Sequence, residues 1–478
     1  MRHPLARLLL ACGLLACLPA LAQTCPGSVP AQGAPAPANL FPADNWWNTD
    51  ISTAPVDKHS TSYIAFINNG GTRRLHPDFG GEESPGSTAI YGFPYAVVDG
   101  SQPLQSVTFD YWDESDGVNM QTGAGVPFYP IPTQAISQQH WVEGGAPGSV
   151  DQRNDADRHL LIVDCTNRRL YELYNVWYST AQQQWFAGSG AYFDMTRNDR
   201  RPEGWTSADA AGLAIFPGLV RYDEAANSAV ADIHHAFRVT VRTSNGHVYP
   251  ASHTAGATAG ALPMGARLRL KQTVNGVDPV TRTSDPVARK IFRAMQRYGL
   301  IVADNGSDMY ISGTFDVRWN NSALNPAFSA LQASDFEVVQ RGWKPVPSLS
   351  VADAAIAEGN AGTQTLAFTV RLSAASASTV TVAVATADGT AKVANLDYVA
   401  SVATLSFAPG QTSRTFSVVI NGDRQRERDE TFEVRLSNPT VASIGDATGI
   451  GRITTDDALK TGGPMQREHA PAAARFLK

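Results

Sequence analysis

The stretches TLAFTV (365–370) and VTVAV (380–384) alternate apolar residues with small or polar ones, and LSF (405–407), FSV (416–418) and FEVRL (432–436) continue the pattern. A period of two residues is the signature of a β-strand that buries one face. Antiparallel strands of this kind pack as two sheets, face to face. The segment from Pro347 to Asp457 is therefore predicted to be an antiparallel β-sandwich of about seven strands.

Acidic residues in this segment gather at the strand ends. The set comprises Glu358, Asp397, Asp423, Glu427, Asp429, Glu430, Asp456 and Asp457. Strand ends on one side of a sandwich can converge in space, and calcium takes about six to eight oxygen ligands, mostly from carboxylates. The pattern predicts a calcium site at one end of the sandwich. The alternative is a solvated acidic loop on a mechanical spacer.

Short motifs here resemble those of the Calx-beta domain: ADGTA (387–391), LDY (396–398), LSFAPG (405–410), ERDETF (427–432), LSNP (436–439) and TDD (455–457). The resemblance covers nearly the whole segment and implies an immunoglobulin-like sandwich that binds Ca²⁺. It carries ligand roles to Glu358, Asp397, Asp423, Glu427, Glu430, Asp456 and Asp457. Gly422 and Arg424 stand where family members often have further acids, which thins the acidic cluster.

The start of the chain has the pattern of an export signal. Its first residues are positively charged, the run 8–18 is apolar, and small residues occupy positions 20 and 22. This predicts a secretory signal peptide over residues 1–22 and a protein secreted to the periplasm or the outside of the cell. The apolar run is too short to cross a bilayer. The alternative is a lipoprotein anchored at Cys17.

Two cysteines, Cys25 and Cys165, lie beyond the predicted signal peptide. In an oxidising compartment two cysteines most simply form one disulfide. The sequence predicts a Cys25–Cys165 bridge that ties the N-terminus to the first domain. Two unpaired thiols are the alternative.

The segments around the sandwich differ from it in composition. Residues 23–39 form a Pro/Ala-rich leader, residues 40–343 a large β-rich domain, and residues 458–478 a tail predicted to be disordered. The linker KPVP (344–347) follows the last of the nine tryptophans. A formal net charge of −6 gives no basic surface for nucleic acid. No stretch beyond the signal peptide is expected to span a membrane.

The domain 40–343 reads as mostly β. Strand patterns around short turns predict three hairpins: 159–164 with 170–178, 237–242 with 247–249, and 300–303 with 309–312. One helix is predicted, capped by Asp285 and ended by Gly299. The predicted fold class is a large β-sandwich or jelly roll with one packed helix, followed by the immunoglobulin-like sandwich.

Aromatic residues near loops suggest a glycan-binding surface in this domain. They are Trp46, Trp47, Tyr111, Trp112, Trp141, Trp177, Trp185 and Trp205. Rings stack on sugar faces, and carboxylates accept hydrogen bonds from sugar hydroxyls. The alternative is that these rings fill a core. The G-x-S-x-G, H-E-x-x-H and Walker motifs do not occur in the sequence.

Glu172 is the leading candidate for a catalytic acid, because its strand places it among apolar and aromatic residues that would raise its pKa. Glycoside hydrolysis needs a second carboxylate, and the candidates are Asp157, Asp209 and Asp304. Structural roles remain open for all four. Glu172 could bond a buried arginine such as Arg221, Asp157 could pair with Arg158, Asp209 could serve a short helix, and Asp304 could form a turn with Asp308.

Several motifs also resemble uncharacterised exported bacterial proteins: LHPDF (75–79), DRH (157–159), YELY (171–174), GWTSAD (204–209) and ADNGS (303–307). That resemblance implies no activity. Two functions stay open for the chain. One is a carbohydrate-active hydrolase that acts on an extracellular polysaccharide or cell-surface glycan, and the other is a non-catalytic adhesion or matrix protein.

Overall fold

The computed structural model describes residues 31–33, 35, 37, 40–376, 378–425 and 427–456. The chain divides after Trp343 into two compact units. The predicted signal peptide, Cys17, Cys25, Asp457 and the predicted tail lie outside the described residues. Among the residues that are described, no helix has both the length and the apolar character to cross a membrane.

The N-terminal unit contains fourteen described strands and five described α-helices. The strands are β1 (Ala31–Gln32), β2 (His76–Asp78), β3 (Tyr95–Val98), β4 (Val107–Phe109), β5 (Leu160–Asp164), β6 (Arg169–Tyr174), β7 (Trp177–Ser179), β8 (Gln184–Ala187), β9 (Ser189–Asp194), β10 (Phe237–Val241), β11 (Arg267–Leu270), β12 (Leu300–Asn305), β13 (Tyr310–Ser312) and β14 (Phe336–Val338). The helices are α1 (Ser60–Asn68), α2 (Gln134–Ser137), α3 (Tyr222–Ala225), α4 (Pro286–Arg297) and α5 (Asn321–Ser329).

These strands form three sheets, with the orders β1-β3-β5-β6-β9, β14-β11-β12-β10-β13-β2 and β4-β8-β7. The predicted mostly β fold is confirmed. The sheets are mixed, because β3 runs parallel to β5 and β10 runs parallel to β12. The largest apolar core packs α1, α4 and α5 against the six-stranded sheet.

One predicted hairpin is present and two are wrong. β5 and β6 pair antiparallel, with Leu160 opposite Leu173. β10 lies between β12 and β13 in the sheet, so 300–303 and 309–312 do not pair with each other. His247 forms a bridge with Met264 and does not pair with β10. The turns at Asn245-Gly246 and Asn305-Gly306 are local signals, whereas the strand order is set by pairing over long sequence distances.

The predicted helix is α4. The Asp285 side chain accepts a hydrogen bond from the Ala288 N–H at 2.8 Å, and Pro286 occupies the first helical position. Gly299 follows the helix with φ +75°, a conformation that favours glycine. The nine-residue helices α1 and α5 were not predicted. α1 has no side-chain cap, and α5 contains Pro326, although the Asn320 side chain caps its first turn.

The C-terminal unit is a two-sheet sandwich. Its described strands are β15 (Ser348–Val351), β16 (Ala354–Ala357), β17 (Gly362–Leu372), β18 (Val380–Ala387), β19 (Val402–Phe407), β20 (Ser413–Gly422), β21 (Glu430–Thr440), β22 (Ser443–Asp446) and β23 (Thr448–Thr454). The sheet orders are β20-β17-β15-β22 and β16-β23-β21-β18-β19. The alternating residues are buried between the sheets, where Phe368 of one sheet contacts Phe432 of the other. The predicted sandwich is confirmed.

Candidate functional site

One face of the six-stranded sheet is polar where it faces a cavity. Val239 of β10 is buried in the largest core, so its neighbour Arg238 points to the opposite face. The Arg238 Nη1 donates to the Ser312 Oγ of β13 at 2.7 Å, and Ser312 pairs with Asp78 of β2. Asp304 of the adjacent strand β12 lies 3.4 Å from Arg238 Nη2. Across four adjacent strands, this face therefore carries charged and hydroxyl groups.

The carboxylate cavity lies beside this polar face and has a volume of about 400 Å³. Three of the four predicted catalytic residues, Asp157, Asp209 and Asp304, line it. Its other lining residues include Tyr111, Glu114, His159, Tyr174, Ser207 and His253. The structure thus brings together carboxylates that are far apart in the sequence.

Asp209 is held in a buried ion pair with Arg238. The Arg238 Nε donates to Asp209 Oδ2 at 3.1 Å, and Nη2 donates to Oδ1 at 2.8 Å. The side chains are 3% and 0% exposed, respectively. Residues 208–212 form bends and turns, so the interpretation of Asp209 as part of a short helix is wrong. Both oxygens of the Asp209 carboxylate are therefore held by Arg238.

Asp304 is the carboxylate best placed to give up a proton. Its side chain is 27% exposed and lies 3.4 Å from Arg238 Nη2. Burial and the nearby Asp209 charge raise the pKa of Asp304 to about 6, against the opposing effects of Arg238 and His159. Asp304 Oδ1 also accepts from the Asn305 N–H at 2.7 Å. One carboxyl group thus supports the turn and faces the cavity.

His159 is a fixed cation in the cavity wall. Its Nδ1 lies 2.5 Å from Glu143 Oε2, and its Nε2 lies 2.8 Å from the Ala208 carbonyl oxygen. Both partners are acceptors, so both ring nitrogens must donate. Burial alone would lower the pKa of His159, but Glu143 raises it to about 9. His159 positions the loop that carries Asp209 and has no free nitrogen for a metal or a proton.

Glu172, the predicted catalytic acid, lies outside the carboxylate cavity. It is fully buried and is not among the residues that line the carboxylate cavity. Its carboxylate accepts from the Ile215 N–H at 2.8 Å and from the Phe216 N–H at 2.8 Å. Burial raises the pKa of Glu172 to about 7, as the sequence predicted, although these N–H groups oppose the shift. Arg221 pairs with Glu224 at 2.7 Å, so the alternative partner is also wrong.

Asp157 is an exposed residue of the cavity wall. The predicted pair with Arg158 is not formed among the described residues. Arg158 is fully buried and donates to the carbonyl oxygens of Val176 at 3.0 Å and Pro147 at 3.1 Å. The Asp157 carboxylate therefore stays available to a ligand.

Four of the eight aromatic residues proposed as a glycan surface are core residues. Trp46, Trp47, Trp141 and Trp185 are buried, which bears out the alternative that they fill a core. Tyr111 is 55% exposed and lines the carboxylate cavity. The aromatic contribution to this cavity therefore comes from tyrosines and not from the predicted tryptophans.

In the C-terminal unit, three carboxylates meet at one end of the sandwich. Each of Asp397, Glu427 and Glu430 offers a carboxylate oxygen, and these oxygens lie within 4.8 Å of one another. Asp397 follows a short 3-10 helix (Val393–Asn395), and its Oδ2 accepts from the Lys392 N–H at 2.6 Å. Glu430 begins β21, and Glu427 lies in the loop before it. The fold thus gathers three oxygen donors of the kind calcium prefers.

The negative charges of the carboxylates in this cluster repel one another. Burial, a hydrogen bond with Asp397 and the charges of Glu427 and Glu358 raise the pKa of Glu430 to about 7. Asp397 is 8% exposed and Glu358 is 6% exposed. A divalent cation among these groups would offset their repulsion, so the donor set fits calcium.

The remaining predicted ligands lie differently. Asp423 is exposed and its Oδ1 accepts from the Gln425 N–H. Asp456 is exposed and accepts from the Gly359 N–H and the Asn360 Nδ2, both at 3.2 Å. Asp457 lies outside the described residues. Of the seven predicted ligands, the structure groups Asp397, Glu427 and Glu430, with Glu358 near enough to affect their charge.

Residues 347–457 match the family model of the Calx-beta domain. Solved structures that resemble this segment include two Calx domains. The calcium binding domain CBD12 of CALX1.1 is 28% identical, with 23% of this chain and 46% of that chain covered and a TM-score of 0.21. The apo-form Calx CBD1 domain is 27% identical, with 23% and 99% covered and a TM-score of 0.20. No curated protein matches the chain. The C-terminal segment, residues 347–457, is a Calx-beta domain.

Proposed function

We propose that this chain is an exported carbohydrate-active protein whose Calx-beta domain binds calcium. The N-terminal unit holds the glycan in the carboxylate cavity and hydrolyses it there. The secreted location rests on the predicted signal peptide over residues 1–22, and the Cys25–Cys165 disulfide belongs to the same proposal. The two activities rest on separate observations and are tested separately.

The calcium proposal is carried by the meeting of Asp397, Glu427 and Glu430 within 4.8 Å. These side chains would hold the ion together with Glu358, and peptide carbonyls and water complete such sites in proteins. Bound calcium would neutralise the cluster and fix the loop before β21.

Calcium is expected to raise the melting temperature of the full-length protein relative to a chelator. A ligand at about 100 times its Kd stabilises the folded state by about 2.7 kcal/mol. Differential scanning calorimetry in calcium, in EGTA and in calcium with excess EGTA measures the effect. An unchanged thermogram in all three solutions contradicts the calcium proposal.

The hydrolase proposal is carried by Asp304 and Asp157 facing one cavity. Glycoside hydrolysis uses one carboxyl group as the acid and a second carboxylate as base or nucleophile. Asp304 is the acid, because its raised pKa lets it keep a proton in mildly acidic solution. Asp157, exposed and without an ion pair to Arg158, is the second carboxylate. Tyr111 and Tyr174 supply rings against which a sugar can pack.

Asp304→Asn is expected to lower the rate of sugar release by a factor of about 100 or more, since an amide cannot donate the proton. The wild-type rate should fall as pH rises through about 6, because the reactive form of Asp304 is protonated. Reducing-end release from a panel of polysaccharides measures both effects. Asp199→Asn removes an exposed acid paired with Arg197 and should leave the rate unchanged.

Full activity in Asp304→Asn contradicts its assignment as the acid. Glycan binding without any release of sugar from the panel contradicts hydrolysis and supports the alternative of a non-catalytic adhesion or matrix protein. A chain that neither binds nor cleaves any glycan contradicts the carbohydrate-active function.

A further inference from the structure

Two of the described residues that line the carboxylate cavity are histidines, and they differ in how their ring nitrogens are used. Both nitrogens of His159 lie against acceptors, one on Glu143 and one on Ala208. The Nδ1 of His253 lies 2.7 Å from the Ala210 carbonyl oxygen. Within the described part of the chain, the Nε2 of His253 has no hydrogen-bond partner. His253 is therefore the histidine of this cavity that has a nitrogen available to a ligand.

The contact with Ala210 sets the protonation of the His253 ring. A carbonyl oxygen only accepts hydrogen bonds, so Nδ1 carries the proton. In the neutral imidazole, Nε2 is then the nitrogen with the lone pair. The ring is half-buried and lines the cavity, and Asp304 lines the same cavity. A proton acceptor and a carboxyl group that keeps its proton in mildly acidic solution thus face one space.

The backbone around His253 is held on two sides. The His253 N–H donates to the Ala211 carbonyl oxygen at 3.3 Å. The Asn305 Nδ2 donates to the Ala255 carbonyl oxygen at 2.9 Å, and Asn305 directly follows Asp304 in β12. The segment that carries His253 is thus tied to the end of the strand that carries Asp304. Acid and base groups need such fixed relative positions to act on one substrate.

A second acceptor in the cavity wall also lacks a donor. Asn305 lines the cavity, and its buried Oδ1 has no hydrogen-bond partner among the described residues. An unpaired buried acceptor is unfavourable. Together with the Nε2 of His253, this oxygen calls for a ligand that brings hydroxyl hydrogens. This part of the wall therefore fits the two reactants of glycan hydrolysis, a sugar and a water molecule.

We propose that the Nε2 of His253 is the general base of the carboxylate cavity and takes a proton from the water that attacks the sugar. This inference rests on the proposed hydrolase function and deepens it, because it adds a catalytic residue to Asp304 and Asp157. Histidine is the side chain that most often serves as a general acid or base in enzymes. His159 is excluded from this role, since both of its ring nitrogens donate to acceptors.

The reaction step balances with these three residues. The water oxygen bonds to the anomeric carbon while the bond from that carbon to the glycosidic oxygen breaks. The leaving oxygen keeps the bonding electron pair and takes the proton of Asp304, and the water gives one proton to His253. The carboxylate of Asp157 stabilises the positive charge that develops on the sugar ring. Transfer of one proton from the His253 imidazolium, through solvent, to the Asp304 carboxylate restores both groups.

Two substitutions separate a base from a group that only binds. His253→Gln keeps an amide oxygen that accepts hydrogen bonds but does not take up a proton, and His253→Ala removes both properties. In the full-length protein, both should lower kcat for reducing-end release from cellulose, chitin, xylan, pectin or starch by about 100-fold or more, with little change in KM. Added imidazole should raise the rate of His253→Ala by about 10-fold or more, since a free base can enter the vacated space.

His234→Ala is the matched control. The Nδ1 of His234 lies 3.1 Å from the Tyr298 hydroxyl oxygen, and His234 is not among the described residues that line the carboxylate cavity. This variant should keep the wild-type rate and should not respond to imidazole. Denaturant unfolding followed by tryptophan fluorescence shows whether each variant is folded, because every tryptophan precedes residue 344.

An unchanged kcat in His253→Gln, or a change in KM alone, overturns the proposal, because the ring would then only bind a hydroxyl group. A loss in a folded His253→Ala that imidazole does not reverse also overturns it, since the ring would then only support the cavity wall. If the wild type releases sugar and His253→Gln does so equally fast, the base assignment is wrong and the hydrolase proposal stands. If the wild type releases no sugar from any of the polysaccharides, the hydrolase proposal is wrong and the base assignment falls with it.

Discussion

Asp397→Asn is expected to remove most of the calcium-dependent rise in melting temperature. Asp397 is the most enclosed of the three grouped acids, at 8% exposed, and it is in contact with Glu430. Calcium affinity depends on the number of charged oxygen ligands, so we expect a loss of about 100-fold. At about 100 times the wild-type Kd this removes most of a stabilisation of about 2.7 kcal/mol. For a domain of this size that is a shift on the order of 10 °C.

The same variant should not be less stable than the wild type in EGTA. Removing one charge relieves the repulsion that raises the pKa of Glu430, so its melting temperature in chelator should be equal or higher. This separates a lost ligand from a damaged fold. All nine tryptophans precede residue 344, so a calorimetric transition that is silent in tryptophan fluorescence belongs to the Calx-beta domain.

Two further variants control the calcium result. Asp446→Asn alters an exposed acid at a turn outside the grouped carboxylates and should keep the full calcium response. Asp423 is a ligand that the sequence resemblance implies, but the structure leaves it outside the grouped acids. Asp423→Asn should therefore lose less of the calcium-dependent rise in melting temperature than Asp397→Asn. A full calcium response in Asp397→Asn, or equal losses in the two variants, contradicts the site as the structure groups it.

The fold of the Calx-beta domain could be predicted closely because the alternation of apolar residues within each strand indicates which face is buried. Leu366, Phe368 and Val370 alternate within one strand, and each strand repeats that pattern. The metal site was less predictable. Whether Glu427 and Asp423 both reach Asp397 depends on how the loop between β20 and β21 turns, and strand periodicity does not determine this.

The N-terminal site depends on contacts between distant parts of the chain. Asp209, Asp157 and Asp304 were identified as carboxylates, but no local pattern showed that they share a cavity. Arg238 was missed, although an arginine within the otherwise apolar FRVTV of β10 is a usable signal of a buried charge partner. Glu143 was missed because only the fold brings it to His159.

Glu172 shows the limit of reasoning from one strand. Its burial and raised pKa were predicted correctly from its neighbours. Its partners are the backbone N–H groups of Ile215 and Phe216, which any sequence could supply. In the sequence, a buried carboxylate that accepts hydrogen bonds from backbone N–H groups cannot be distinguished from one that donates protons to a substrate. The cavity distinguishes them, because it is lined by Asp304 and not by Glu172.

Arg238→Met is expected to destabilise the N-terminal unit by about 3–5 kcal/mol, because it leaves the fully buried Asp209 carboxylate without its partner. Denaturant unfolding followed by tryptophan fluorescence measures this unit alone, since every tryptophan lies within it. Arg318→Met is the matched control. Arg318 also bridges two acids, Asp316 and Asp223, but its side chain is 49% exposed, so its loss should cost no more than about 1 kcal/mol.

The origin of the destabilisation is tested by a second substitution. Adding Asp209→Asn should recover much of the lost stability, because the uncompensated charge is gone. If the double variant is as unstable as the two single losses added together, the ion pair does not act as a unit. The polar face would then owe its stability to packing and not to the Arg238–Asp209 ion pair.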